Sequence, residues 1–261
     1  MRLTTQGIVL RETTYKEADK ILTVLTRDFG KRTVKARGCR RKTSRLMAGS
    51  QLLVYSDLTI NERGEYLTLM EADPLEQFLH VRQELELLSL ASYFAEVTEV
   101  TAQEGEAAPE LLSLLLNALY ALDRLKKPPR LVKAAFELRL LCLTGYEPLL
   151  DGCAVCGAPE PEDARLNLSQ GVLHCARCRS QVGGGVSMPL SPGALAAARH
   201  IVLGNPKKLF SFALSPESLR LLSDACEAFL MTQQERGFRT LDYYKQLVPQ
   251  DQEGGFHDGT V

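Results

Sequence analysis

The chain has 261 residues, 45% hydrophobic and 24% charged, with a formal net charge of −1. These values are ordinary for a soluble globular protein with one large or two modest domains and a real core. An average so close to neutral speaks against a polyanion partner, but the charge is unevenly spread. Between Asp28 and Asp57 lie Lys31, Arg32, Lys35, Arg37, Arg40, Arg41, Lys42 and Arg45 with no acidic residue. That stretch carries +8 and leaves −9 for the remainder, an asymmetry that suggests a localised anionic ligand.

Residues 1 to about 79 carry strand signals. GIVLR, KILTVLT, GKRTVKAR, QLLVYSDLTI and EYLTLMEA are short β-rich segments separated by the turn signals DFG, MAGS and NERG. Five short strands in that length suit a small OB-type barrel. In the third strand, period two puts Lys31, Thr33, Lys35 and Arg37 on one face and points Val34 and Ala36 inward. The opening sequence has no apolar core of signal-peptide length, and Leu111 to Leu122, the longest uncharged apolar-rich run, is too short to span a bilayer. The expectation is a cytoplasmic protein with no membrane partner.

From residue 80 to 247 the period becomes helical. Leu87, Leu90, Ala91, Phe94 and Val97 form one stripe. Pro109 starts a second helix carrying Leu111, Leu112, Leu115, Leu119 and Leu122. A third follows Pro128–Pro129 with Val132, Phe136, Leu140 and Leu143, stopping at Gly145. Ser191–Pro192 and Ser215–Pro216 read as caps of two more helices, the first ending near Gly204. Residues 248–261 are polar and Gly-rich, which predicts a disordered tail. The fold class is therefore α+β: a five-stranded OB-fold barrel, then an α-helical domain with an insertion at about 150–185.

That insertion carries the sharpest chemistry. Cys153-Ala-Val-Cys156 and Cys175-Ala-Arg-Cys178 are separated by eighteen residues, the spacing of a zinc ribbon or knuckle. Each CxxC turn supplies half a tetrahedron of thiolates, and the segment between the pairs cannot build a core, so bound metal would contribute its folding energy. One Zn2+ per chain is expected. Four thiolates leave no open position, so the metal is structural. His174 is an alternative ligand, or a residue packed on the knuckle. Cys142 and Cys226 read as small buried hydrophobes, and Cys39 has no partner at ligand spacing. A dithiol redox enzyme using the CxxC pairs is a weaker rival.

Signatures of catalysis are missing. The sequence has no G-x-S-x-G, no phosphate-binding G-x-x-x-x-G-K-[ST] and no G-x-G-x-x-G after a strand. Gly183-Gly184-Gly185 follows a cysteine knuckle and reads as a linker. The expectation is that the protein is not an enzyme. Phe29, Tyr55 and Tyr66 lie on or beside strands of the basic module and can either stack on bases or fill the core. Backbone-led binding of this kind predicts affinity that falls with salt and shows little sequence preference.

The order GIVLRETTYKEADKILTVLTRDFGKRTVKARGCRRKTS, then FELRLLCLTGYEPLLDGCAVCG, then QGVLHCARC, closely resembles the bacterial recombination mediator RecO family over about residues 3 to 247. The resemblance implies an OB-fold that binds single- and double-stranded DNA and anneals complementary strands in the RecF pathway of DNA repair. It implies cooperation with RecR to load RecA onto strands coated by the single-strand-binding protein SSB, without nucleotide hydrolysis, near the nucleoid. It maps the knuckle to Cys153, Cys156, Cys175 and Cys178, and the DNA grip to Lys31 through Arg45. Gln170-Gly171 stands where the family commonly has a Gly pair. The helical domain is then expected to take the acidic SSB tail, with Arg130, Lys133, Phe136 and Arg139 offering mixed charge and apolar surface. The alternative is a zinc-ribbon nucleic-acid-binding adaptor of RNA metabolism or transcription.

Overall fold

The computed structural model of the protein describes residues 1–248, and the disordered tail expected from the sequence lies, beyond Val248, outside the described residues. The barrel comprises β1 (Arg2–Tyr15), β2 (Asp19–Thr26), β3 (Gly30–Ala36), β4 (Tyr55–Arg63) and β5 (Tyr66–Glu76), closed in the order β1-β2-β3-β5-β4. Its interior is filled by alternate residues of the strands: Leu3, Val9, Leu22, Val24, Val34, Leu58, Ile60 and Leu69. The opposite parity is not simply solvent-facing. Ile8, Leu10 and Leu25 point out of the barrel into the core of the helical region. This explains why GIVL and TVLT are continuous apolar runs rather than alternating ones: the strands are buried on both faces. The closing contact between β3 and β5 is thin, a single parallel pair between Lys35 and Thr68.

The helical region follows as α1 (Leu79–Gln83), α2 (Leu85–Thr101), α3 (Pro109–Asp123), α4 (Pro129–Leu143), α5 (Pro192–Leu203), α6 (Pro216–Gln234) and α7 (Arg239–Leu247). Prolines open α3 and α4 where a missing N–H costs nothing. Ser191 and Ser215 cap α5 and α6, their hydroxyls accepting from the Ala194 and Ser218 amides. The stripe on α2 packs inward, with Leu90, Ala91, Phe94 and Val97 fully buried and Leu87 at its edge. Phe94 stacks on Phe136 of α4 with ring centroids 4.2 Å apart. No helix among the described residues is long and apolar enough to cross a membrane.

Three features depart from the sequence reading. β4 begins at Tyr55, not Gln51, because Leu53 adopts positive φ and turns its side chain into the helical core. A three-stranded sheet, β6 (Arg165–Asn167), β7 (Val172–His174) and β8 (Ser187–Pro189), lies beside the knuckle in the order β7-β6-β8. Its Leu166, Leu173 and neighbouring Leu168 join the main core, so the insertion is anchored by apolar packing as well as by its cysteines. The helices α1 and α7 were also not anticipated; each is short.

Candidate nucleic-acid interface and metal centre

The basic stretch after β3 is an arch pinned at both ends. Gly38, at φ 64°, donates its amide to Asp19 Oδ1 at 2.8 Å, and that bond holds the Asp19 carboxyl below its ordinary range. Cys39 and Leu46 plug into the barrel interior. Between the plugs, Arg40, Arg41, Lys42 and Arg45 are exposed. The arch closes at Gly49, where an added Cβ would lie 2.3 Å from the Ala72 carbonyl oxygen. Cys39 is therefore a small buried hydrophobe, and burial pushes its thiol up rather than activating it.

The eight cations of this segment have different employments. Lys31 Nζ donates to the Glu99 carbonyl in the last turn of α2 at 2.7 Å, a helix C-terminus that favours positive charge. Arg32 donates to the Phe29 carbonyl, and Lys35 lies 3.5 Å from Asp19 with its ammonium over the Tyr15 ring. Arg40 donates to the Glu17 carbonyl, which ties the β1–β2 turn to the arch and leaves its charge uncompensated. Arg37, Arg41, Lys42 and Arg45 carry exposed side chains with no ion pair among the described residues. Of the expected outward face of β3, Thr33 and Arg37 are exposed, whereas Lys31 and Lys35 serve the fold.

The face expected on α4 is not formed as the sequence suggested. Phe136 is fully buried in the helical core. Lys133 is buried too, its Nζ 2.9 Å from Glu137 Oε1 and 2.8 Å from Glu227 Oε2 of α6. Tyr93 of α2 donates its hydroxyl to Glu137 at 2.7 Å, and Lys245 of α7 also pairs with Glu227. Against the cost of its burial, the two carboxylates raise the Lys133 ammonium above its ordinary range, and Lys133 in turn holds Glu227 down. Arg139 is half-buried and donates to the Val202 carbonyl at the end of α5 at 2.8 Å. Its side chain also edges a cavity of about 310 Å3 lined by Pro109, Leu114, Leu143 and Leu209. Arg130 is half-buried near the other end of the helix.

The second candidate site is the cysteine cluster. Sγ atoms of Cys153, Cys156, Cys175 and Cys178 all lie within 4.8 Å of one another. Cys175 is 3.9 Å from Cys153 and 4.0 Å from Cys156, against an edge of about 3.8 Å for a tetrahedron with 2.3 Å metal–sulfur bonds. The four residues can hold a metal ion. Gly157, at φ 72°, completes the first CxxC turn and donates to the Cys153 carbonyl. Although desolvation opposes it, backbone N–H groups at Cys156, Cys175 and Val155 bring the Cys153 thiol down to about 6. Its sulfur neighbours, Cys175 foremost, push the Cys178 thiol up to about 12. His174 is no part of the cluster: its ring nitrogens engage the Cys175 carbonyl and the Ser187 hydroxyl. Cys142 and Cys226 lie elsewhere in the helical region, and burial pushes Cys142 up to about 12 and Cys226 up as well.

Two family models match nearly the whole described chain: Recombination protein O N terminal over residues 1–78 and Recombination protein O C terminal over residues 82–242. The chain belongs to the recombination protein O family. Relatives named DNA repair protein RecO support this over most of their own length. The protein from Acetivibrio thermocellus is 32% identical over 245 residues, covering 94% of this chain and 97% of the relative. That from Heliobacterium modesticaldum is 35% identical over 248 residues, covering 90% and 86%. That from Desulforudis audaxviator is 39% identical over 179 residues, covering 68% and 70%.

For this recombination protein O chain the barrel sorts its aromatics clearly. Tyr55 is half-buried and donates its hydroxyl to Gln6 at 2.8 Å, and Phe29 packs on the barrel interior. Tyr66 is 80% exposed. The sequence reading missed Tyr15, which is 42% exposed at the end of β1. The available signal was its place before Lys16-Glu17-Ala18, the β1–β2 turn at a mouth of the barrel.

Proposed function

We propose that this protein is a non-catalytic recombination mediator of DNA repair that binds single- and double-stranded DNA and anneals complementary strands. The observation carrying the proposal is the arch: Arg41, Lys42 and Arg45 exposed without carboxylate partners, pinned by Cys39 and Leu46, on the barrel of a recombination protein O chain. Cations held this way neutralise phosphates of two strands and lower their mutual repulsion, leaving the bases to pair. The metal of the cysteine cluster is Zn2+, one per chain, in a closed structural site. With RecR, the protein would help load RecA onto SSB-coated single strands in the cytoplasm. The acidic, hydrophobic-ended tail of SSB would dock at the cavity beside Arg139, where one guanidinium meets Pro109, Leu114, Leu143 and Leu209. A strand-annealing assay tests the central part. The wild type accelerates pairing of complementary oligonucleotides, and the triple variant Arg41→Ser, Lys42→Ser, Arg45→Ser loses most of that acceleration with its melting temperature unchanged. Equal annealing by the two proteins would refute the assignment.

A further inference from the structure

A cavity of about 620 Å3 lies where α2, α4 and α6 end and α3 begins, within the roughly 300–1,000 Å3 of ligand sites. Val100, Leu111 and Leu143 give it apolar lining, and Tyr146 is exposed at its wall. Its charged lining residues, Glu106 and Glu110, are both acidic, and neither makes an ion pair among the described residues. The backbone adds to that charge. Thr101, Leu143 and Gln234 are the last residues of their helices, so three C-termini meet here, each with partial negative charge on its unpaired carbonyls. The one N-terminus in the group is that of α3, and Glu110 in its first turn offsets it. The loop that carries Glu106 is fixed to the barrel: Gly105 donates to the Lys31 carbonyl at 3.2 Å, and Gly30 leaves no room for a Cβ against the Glu106 carbonyl. A site of this polarity repels phosphates. It also stands apart from the arch, since Gly30 opens β3 beside the cavity loop and the arch follows Ala36, about 20 Å along the strand.

We infer that this cavity docks a basic segment of a protein partner, one that carries Lys or Arg beside an apolar side chain. The cation meets Glu106 and the helix-end carbonyls, and the apolar neighbour covers Val100, Leu111 and Leu143. A bare metal ion would leave that apolar lining wet, and an acidic segment would be repelled. The neighbouring cavity beside Arg139 shares Pro109, Glu110 and Leu143 but offers a guanidinium, so the two cavities favour segments of opposite charge. The inference goes beyond the DNA-binding reading and does not depend on it. Because the cavity stands off the arch, the chain can hold this partner and DNA at the same time.

The probe is a short fluorescein-labelled peptide of alternating Lys and Leu, titrated with the full chain at fixed salt and read by fluorescence anisotropy. The wild type should bind it, and the double variant Glu106→Lys, Glu110→Lys should bind it about tenfold more weakly, as expected for two exposed ion pairs lost together. The milder Glu106→Gln, Glu110→Gln pair should shift affinity the same way with an unchanged melting temperature, which separates loss of charge from damage to α3. Reversing Glu84 and Glu86 at the start of α2 (Glu84→Lys, Glu86→Lys) should leave affinity within about twofold, because net charge alone is not the cause. Peptides with Glu in place of Lys, or Ser in place of Leu, should bind more weakly than the probe. The arch variant Arg41→Ser, Lys42→Ser, Arg45→Ser should bind the probe as the wild type does, so the cavity and the DNA-binding reading fail separately. A wild type that ignores the probe, cavity variants that bind it normally, or control reversals that weaken it as much would overturn the site. Self-association of the wild type that Glu106→Lys, Glu110→Lys abolishes in sedimentation would overturn the separate partner and place a second copy of the chain there.

Discussion

Two clusters of positive charge stand out in this chain, and they end in opposite environments. Arg40 to Arg45 belong to an exposed arch held between the buried plugs Cys39 and Leu46. Lys133 lies inside the helical region between Glu137 and Glu227, with Arg139 nearby tied to the end of α5. The difference comes from what surrounds each cation in sequence. On the arch, no acidic residue stands near in the sequence, and Arg40, Arg41, Lys42 and Arg45 make no ion pair among the described residues. On α4, Glu137 stands one turn beyond Lys133 among Leu, Ala and Phe, so helix geometry itself supplies a partner in the interior. Unpaired charge is left for a ligand; paired charge is used by the fold.

The contrast can be broken most severely at the cysteine cluster, the other place where polar groups are gathered in the helical region. Replacing Cys153 and Cys175 by Ser should release about one equivalent of metal per chain and lower the melting temperature, since structural zinc supplies about 10 kcal/mol or more of folding energy in isolated zinc peptides. Packing of Leu166, Leu168 and Leu173 into the main core should leave the rest of the helical region folded. Wild-type metal content and melting in the double variant would contradict the site.

A smaller effect is expected at Lys133. Lys133→Met leaves Glu137 buried without its cation and should cost about 3–5 kcal/mol in urea unfolding. Adding Glu137→Gln and Glu227→Gln to that variant should recover much of the loss, because the cost lies in uncompensated charge. A loss below about 1 kcal/mol from Lys133→Met alone would mean that this ion network is not what holds α4 against α6.

Much of this arrangement could be read from residue order, and the reasons are specific. Pro109, Pro129, Ser191 and Ser215 act locally, so the starts of four helices were visible without tertiary knowledge. The two CxxC pairs likewise carry their geometry in their spacing. Period two placed Val34 and Ala36 inside the barrel correctly, but it could not show that the outward Lys31 would meet the C-terminus of α2. That meeting depends on contacts between segments about seventy residues apart, which leave no local trace. For the same reason an amphipathic reading of α4 put Lys133 and Phe136 at the surface. That helix packs against α2, α3, α5 and α6, and a single stripe does not describe a helix enclosed in this way.

The most direct test of the arch is the salt dependence of DNA binding. Wild-type chain and the Arg41→Ser, Lys42→Ser, Arg45→Ser variant would be titrated with single-stranded oligonucleotide across a range of salt concentrations. If these three side chains contact phosphates, the slope of log K against log salt becomes shallower by about 2 in the variant, with stability changed by no more than about 0.5 kcal/mol. Identical slopes for the two proteins would contradict the account, because the cations left unpaired by the fold would then not be the ones that hold DNA.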